Sequence, residues 1–398
     1  VGGGGVAEHV DQVLGVEELH ARVEAEDGRD HREPEVRRDR ALDGWTEHIG
    51  RAQHGHAHVA TASGESCTMA VSDSPRVPVW VRWVGRHENL GDLTYRAEFS
   101  GYEPVDGVWL PMSFNVVSDF KDNVQLRVHV DRYVLDGDVG DLAAPAAVRS
   151  APEPVAVYTV EAVPVAPSVW LLSGTGGANS VLLEFEDHLS LFEVPTSRAW
   201  TAALIEKARA TVPGKPVTEA IISHHHFDHT GGLRTAIAEG LTIVTQAGNV
   251  AWFEDLARRR VEAFPDALSR APKPIKTRAV DDHLRLSDSK LTVDVYRVVS
   301  NGHMAHGLLA YVPEHRLLIQ GDLFDLNWEV YFWGNTYDDN VAYRKLDVER
   351  DVPIHGRVLP VAEVRAKLAE QTNNAEQLCA KVESAGLSMP GCPLAWDD

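Results

Sequence analysis

The sequence predicts an α+β protein in which two mixed β-sheets flanked by helices follow a separate antiparallel β module. Three observations predict it. Hydrophobic and polar residues alternate with period two from Pro78 to about Asp138. Several strand-like runs then follow one another before the first amphipathic helix, beyond a proline- and alanine-rich connection. The 398 residues also exceed the roughly 250–300 at which single cores stop growing.

Residues 1–74 read as a weakly ordered leader, because polar clusters such as the one at 24–31 interrupt every short apolar group. His54, His56 and His58 alternate there, but no carboxylate or cysteine completes a defined metal site, so they are assigned to a solvated stretch. Residues 75–142 form the expected antiparallel module, with strands at 79–84, 93–99, 109–116 and 124–130. Asn89-Leu90-Gly91-Asp92, Asp106-Gly107 and Lys121-Asp122-Asn123 punctuate them as turns. His87 and His129 stand alone and are given packing or surface roles.

The stretch 143–154 is the domain connection, and residues 152–398 the second domain. Strands are expected at 156–160, 169–172, 180–185 and 189–194. Ser197 then caps a helix to about Thr211, and 217–222 reads as a buried strand. Later strands fall at 241–245, 291–299, 308–312 and 316–320, with helices around 340–350 and 361–385. Consecutive strands before the first helix imply hairpins, which a doubly wound parallel sheet lacks.

The 59 acidic and 38 basic residues give a formal charge of −21, which disfavours nucleic-acid and anionic-membrane partners and leaves a small molecule as the expected one. No apolar run approaches the ~20 residues of a spanning helix, and Val1 to Gly5 has no signal-peptide character. As written, the chain is expected to be soluble and cytoplasmic, with a periplasmic or secreted location left open. Cys67, Cys379 and Cys392 form no CxxC pair and read as free thiols, Cys379–Cys392 being the one pair that could bridge.

The chemistry concentrates in Ser223-His224-His225-His226-Phe227-Asp228-His229-Thr230-Gly231-Gly232, which leaves a buried strand and enters a helix. Side chains alternate in an extended segment, so His224, His226 and Asp228 project to one side while His229 begins to turn away. Imidazole nitrogens with a carboxylate oxygen suit zinc and similar borderline ions. His225 and Phe227 face the other way and are expected to pack. Gly231 and Gly232 remove bulk where the next helix passes close.

This segment resembles the His-x-His-x-Asp-His signature of the metallo-β-lactamase superfamily, and Thr230-Gly231-Gly232 resembles its continuation. Gly302-His303, Gly321-Asp322 and Pro353-Ile354-His355-Gly356 match the later motifs in order. The resemblance implies the αββα sandwich of that family and two divalent metal ions, zinc by expectation. It places His224, His226 and His303 on one ion and Asp228, His229 and His355 on the other, with Asp322 bridging. His306 also stands near the third position; His303, which follows a glycine after a strand, is preferred. The resemblance also implies a hydrolase in which a metal-bridging hydroxide, oriented by Asp228 as the catalytic carboxylate, attacks a small or apolar ester, lactone, thioester or amide, β-lactams included. A mononuclear iron oxidoreductase of the persulfide-dioxygenase type on the same fold, and a non-catalytic metal-containing carrier, are the alternatives. Asp322 stands where dedicated β-lactamases of the family more often carry cysteine or serine. Supporting or substrate-lining roles are expected for Glu193, His306, Trp328, Tyr331 and Trp333.

Overall fold

The computed structural model describes residues 54–60, 66–138, 140, 143–149 and 157–392, all within one unit, Gln53–Asp398. The expected leader up to residue 53, the side chains of His54, His56 and His58, and the connection at 150–156 lie outside the described residues.

The period-two region becomes a six-stranded antiparallel sheet. Its strands β1 (His54–Ala60), β2 (Ser66–Ser72), β3 (Pro78–His87), β4 (Gly91–Val105), β5 (Val108–Ser118) and β6 (Val124–His129) neighbour one another in chain order. Val81 pairs with Ala97, Trp83 with Tyr95 and Phe99 with Phe114, so the apolar half of the alternation shares one face. Strands β1 and β2 fall inside the stretch read as weakly ordered. In β1 the three histidines alternate with Gly55, Ala57 and Val59, a period-two pattern at odds with a weakly ordered stretch, and its extended form is completed by pairing with β2.

The second sheet holds β7 (Val160–Ala166), β8 (Val169–Gly174), β9 (Ser180–Glu184), β10 (Leu189–Phe192), β11 (Val217–Ile221), β12 (Thr242–Gln246) and β13 (Lys276–Val280). Its spatial order runs evenly from β7 to β13, antiparallel up to β10 and parallel beyond it. The third sheet is β14 (His283–Ser287), β15 (Thr292–Arg297), β16 (Leu308–Val312), β17 (Leu317–Gln320), β18 (Arg350–Pro353) and β19 (Leu359–Pro360), with β17 and β18 its parallel pair. Helices are α1 (Ala146–Arg149), α2 (Arg198–Thr211), α3 (Phe227–Thr230), α4 (Leu233–Glu239), α5 (Val250–Arg258), α6 (Ala267–Arg270), α7 (Asn335–Arg344) and α8 (Val361–Ser384). Among the described residues no helix is long and apolar enough to cross a membrane.

Alternation along the strands sorts the core into layers. Leu182 and Leu191 meet Trp200, Leu204 and Phe253 of the helices, whereas Val181, Leu183 and Phe192 meet Val293, Leu308 and Ile319 of the third sheet. On the far side Leu309, Tyr311 and Leu318 pack on Tyr337, Val341, Val364 and Leu368. The layers therefore run helix, sheet, sheet, helix. Helix α2 begins where Ser197 Oγ accepts from Trp200 N at 3.1 Å, and it buries Trp200, Leu204, Ile205 and Ala208 on one stripe.

Several local expectations shift. The first strand of the second sheet starts at Val160, the expected strand residues 157–159 lying outside it, and it contains Pro164. That residue argues against a strand in sequence, but β7 is an edge, where a missing N–H costs no ladder bond. Helix α7 ends at Arg344 because Lys345 turns left-handed, which frees Arg350–Pro353 to form β18. Cys379 and Cys392 are joined by a disulfide, against the reading as free thiols, and Cys67 is free.

The turn between β3 and β4 does more than reverse the chain. Leu90 and Leu93 enter the same core as Trp200 and Leu204. Glu88 accepts from Arg198 N at 3.1 Å, and Asp92 Oδ2 accepts from Glu262 N and Ala263 N at 2.6 and 2.7 Å. The antiparallel sheet thus shares its packing with the helical layer of the sandwich.

Candidate metal centre

Five strand ends deliver the predicted side chains to one place. Strand β11 leads into His224 and His226, and the one-turn helix α3 follows with Asp228 and His229. Strand β17 leads into Asp322, β18 into His355, β15 into the loop of His303, and β10 into Glu193. Two glycines make this approach feasible. A Cβ on Gly232 would lie 1.8 Å from Thr201 Oγ1 at the start of α2, and one on Gly302 would lie 1.9 Å from the indole nitrogen of Trp333.

The donors form two groups, His224, His226, His303 and Asp322, and Asp228, His229, His355 and Asp322, with the ligand atoms of each within 4.8 Å of one another. Asp322 belongs to both, and its oxygens divide between them. Oδ2 lies 2.9 Å from His303 Nε2 and 3.5 Å from His224 Nε2, whereas Oδ1 lies 3.1 Å from His229 Nε2 and 3.4 Å from His355 Nε2. His224 Nε2 and His226 Nδ1 are 2.9 Å apart, and His355 Nε2 is 3.3 Å from Asp228 Oδ2.

These residues fit metal ions. Asp322 Oδ1 is buried and has no hydrogen-bond partner despite its imidazole neighbours, so the ring nitrogens are not aimed at the oxygen itself. Donors directed at a common point between them produce that pattern, and the nitrogen and carboxylate mixture is one that zinc accepts. The structure places His303 in the first group. His306 is exposed, with its ring beside Gly248 and its carbonyl bonded to Asn249 Nδ2 at 2.9 Å.

The family model described as the metallo-β-lactamase superfamily matches residues 173–340. Over these residues the chain is similar to that superfamily. Solved structures similar to it include DIM-1 metallo-β-lactamase, 15% identical with a TM-score of 0.43, covering 56% of this chain and 100% of that one. The metallo-β-lactamase from Pontibacter korlensis is 16% identical with a TM-score of 0.43, covering 55% and 99%. TMB-1 is 17% identical with a TM-score of 0.41, covering 55% and 98%. No curated protein matches the chain.

Electrostatics at this cluster are set by burial and crowding. Burial works against the charge of Asp322, but His229, His224 and His303 hold its carboxyl far below the usual range. Asp228 is held low in the same way, burial being outweighed by His229 and His355. Burial pushes His224 well down and, with His303 and His225, lowers His226 to about 4. His226 is therefore neutral near pH 7, with a lone pair to offer. His229 goes well up although fully buried, since Asp322, Glu193 and Asp228 surround it.

Glu193 is fully buried, its Oε1 accepting from Ser223 N at 3.0 Å and facing His229 Nδ1 at 3.3 Å, while Oε2 has no partner. Its φ of 81° is left-handed, a strain tolerated where surrounding structure fixes the geometry. Tyr331 is also buried and donates to the Asp322 carbonyl at 3.0 Å, so its hydroxyl braces a donor strand end and does not reach the open side. Burial, then Asp322, raises its phenol well above the usual range. Trp328 and Trp333 lie 5.6 and 6.2 Å from the His303 ring, centroid to centroid, and are partly exposed.

Two supports are not visible in sequence. Ser223 Oγ lies 2.9 Å from His224 Nδ1. Asn179, in the glycine-rich β8–β9 turn, donates to Gly356 O at 2.8 Å from its side chain and to Ile354 O at 2.8 Å from its backbone, clasping both sides of His355. Neither belongs to a motif with a recognisable spacing.

Proposed function

We propose that the chain is a dinuclear metal-dependent hydrolase acting on a small or apolar ester, lactone, thioester or amide. The observation that carries this reading is the division of the Asp322 oxygens between two donor groups. His224, His226, His303 and Asp322 would hold one divalent ion, and Asp228, His229, His355 and Asp322 the other, with zinc the ion that this donor set favours. Bound there, two such ions supply Lewis acidity toward the substrate's carbonyl oxygen and lower the pKa of water from 15.7 toward ~7.

The protein's own groups do the rest. Asp228 has a side chain 48% exposed whereas that of Asp322 is 5% exposed, so of the two shared-site carboxylates Asp228 is the one open to an incoming water. It orients that water, accepts its proton as the oxygen adds to the carbonyl carbon, and returns a proton to the departing alcohol, thiol or amine. Trp328 and Trp333 give the mouth beside His303 an apolar wall that receives the acyl part of a substrate and excludes water from it. Glu193, Ser223, Asn179 and Tyr331 hold the donors still, as outer partners of a metal site do.

Removal of metal tests the reading. Chelator-treated protein should lose turnover of a chromogenic ester and regain it on addition of zinc. Undiminished hydrolysis by metal-free protein would overturn the proposal, and one iron per chain in the purified protein would favour the oxidoreductase instead.

A further inference from the structure

The helix that carries Asp228 and His229 is a single turn, too short to hold its shape unaided, and no side chain caps it at His226. Its geometry is imposed from outside. Thr196 N donates to Asp228 O at 2.7 Å on one side. On the other, the His226 carbonyl receives His229 N at 3.2 Å, Thr230 N at 3.1 Å and the Thr230 hydroxyl at 2.8 Å. The same Thr230 Oγ1 accepts from Asn89 Nδ2 at 2.6 Å, across 141 positions of sequence.

Asn89 sits in the β3–β4 turn and is 2% exposed, and Thr230 is fully buried. Asn89 Oδ1 is buried without a hydrogen-bond partner. A buried amide with one half unpaired is unfavourable for stability, so its other half is the part that the position uses. The turn holds the amide in place, because His87 Nδ1 accepts from Asn89 N and Leu90 N, both at 3.2 Å. The His87 ring in turn meets the edge of Phe227 on α3, with centroids 4.7 Å apart.

From this geometry we infer that Asn89 is a positioning residue for the metal centre: through Thr230 it fixes the His226 carbonyl, and so the segment that presents His226, Asp228 and His229. The antiparallel sheet then contributes to the site and is more than an appended module. The inference rests on the metal-binding reading above.

The test is zinc affinity of the full chain, measured by competition with a chromogenic chelator, alongside thermal unfolding of the metal-free protein. Asn89→Leu keeps the shape, removes the donor and also removes the unpaired oxygen. It should weaken zinc binding about 10–100-fold while leaving the unfolding temperature unchanged or higher. Thr230→Val should weaken binding similarly, and the double variant should add little, because both cut one chain of hydrogen bonds. Asp92→Asn, which loosens the same turn at Glu262 and Ala263, should lower the unfolding temperature and leave zinc affinity intact. Wild-type zinc affinity in Asn89→Leu would overturn the inference, as would an equal loss in Asp92→Asn, since the effect would then belong to docking in general. Absence of zinc binding by the wild-type chain would overturn the hydrolase reading as well, which separates the two failures.

Discussion

Asp228 and Asp322 are both carboxylates held ionised by neighbouring imidazoles, yet only one of them is open to solvent. Their environments divide the work. In the proposed hydrolase Asp322, nearly enclosed, would only hold, whereas Asp228 would hold and exchange a proton. Asp228→Ala should therefore lower kcat/KM for ester hydrolysis about 10²–10⁴-fold. Its half-exposed side chain makes the fold indifferent to the change, so far-UV circular dichroism should match wild type. Full activity in that variant would remove Asp228 from the mechanism. At this scale the donors were legible because four of them lie within six consecutive residues and the others each follow a strand, so local pattern and strand ends suffice. The preference for His303 over His306 was legible too, from the strand and glycine before it, and the coordinates group His303 with the other donors. Coordinates were needed for Asn89, Asn179 and Ser223, whose roles arise from approaches between segments distant in sequence or from a contact of one side chain with its neighbour's ring.

At the scale of elements, legibility follows burial. Strands β9, β10 and β11 are buried almost throughout and announce themselves as apolar runs. Strands β1, β7, β13 and β14 are edges of their sheets, and β13 and β14 interleave charged residues such as Arg278 and Arg285 where solvent reaches them. An edge strand is defined by its one neighbour more than by its own composition, so period and propensity understate it. The long helix α8 was legible from its apolar spacing, but its covalent tie was not. Cys379 and Cys392, 13 positions apart, join the helix to the turn in which Gly391 meets the Phe332 ring. Closing a loop of that length restricts the unfolded chain by about 3 kcal/mol. Cys392→Ser should lower the urea-unfolding free energy by roughly that amount, and reductant should act on wild type but not on the variant. Equal stability of the two proteins under oxidising conditions would show that the bridge constrains nothing that matters.

Across the described residues, two of the donors reach the centre on a pair of parallel strands tied together by one buried acid. Strands β17 and β18 run side by side with Ile319 opposite Val352, and they deliver Asp322 and His355 respectively. Between them Gln320 Nε2, at the end of β17, donates to Asp351 Oδ2 at 3.2 Å, and Gln320 Oε1 accepts from Leu323 N at 2.9 Å, bracing the turn that carries Asp322. Asp351 is completely buried, its Oδ1 without a partner, and burial, only partly offset by Gln320 and Tyr337, lifts its pKa from 3.8 to about 7. The folded chain therefore keeps this proton where the unfolded chain has released it. Between 3.8 and about 7 the native state binds more protons at this site, so its contribution to stability is complete below the lower value. It declines as pH rises, at about 1.4 kcal/mol per pH unit, until the folded state also ionises. Asp351→Asn supplies a neutral acceptor for Gln320 and removes the titration. Its stability relative to wild type, read from urea unfolding of metal-free protein, should rise steadily from pH 4 to pH 7 and level off above it. Parallel stability curves for the two proteins across that range would mean that Asp351 is ionised in the fold, and that the carboxylate is held by contacts stronger than its burial.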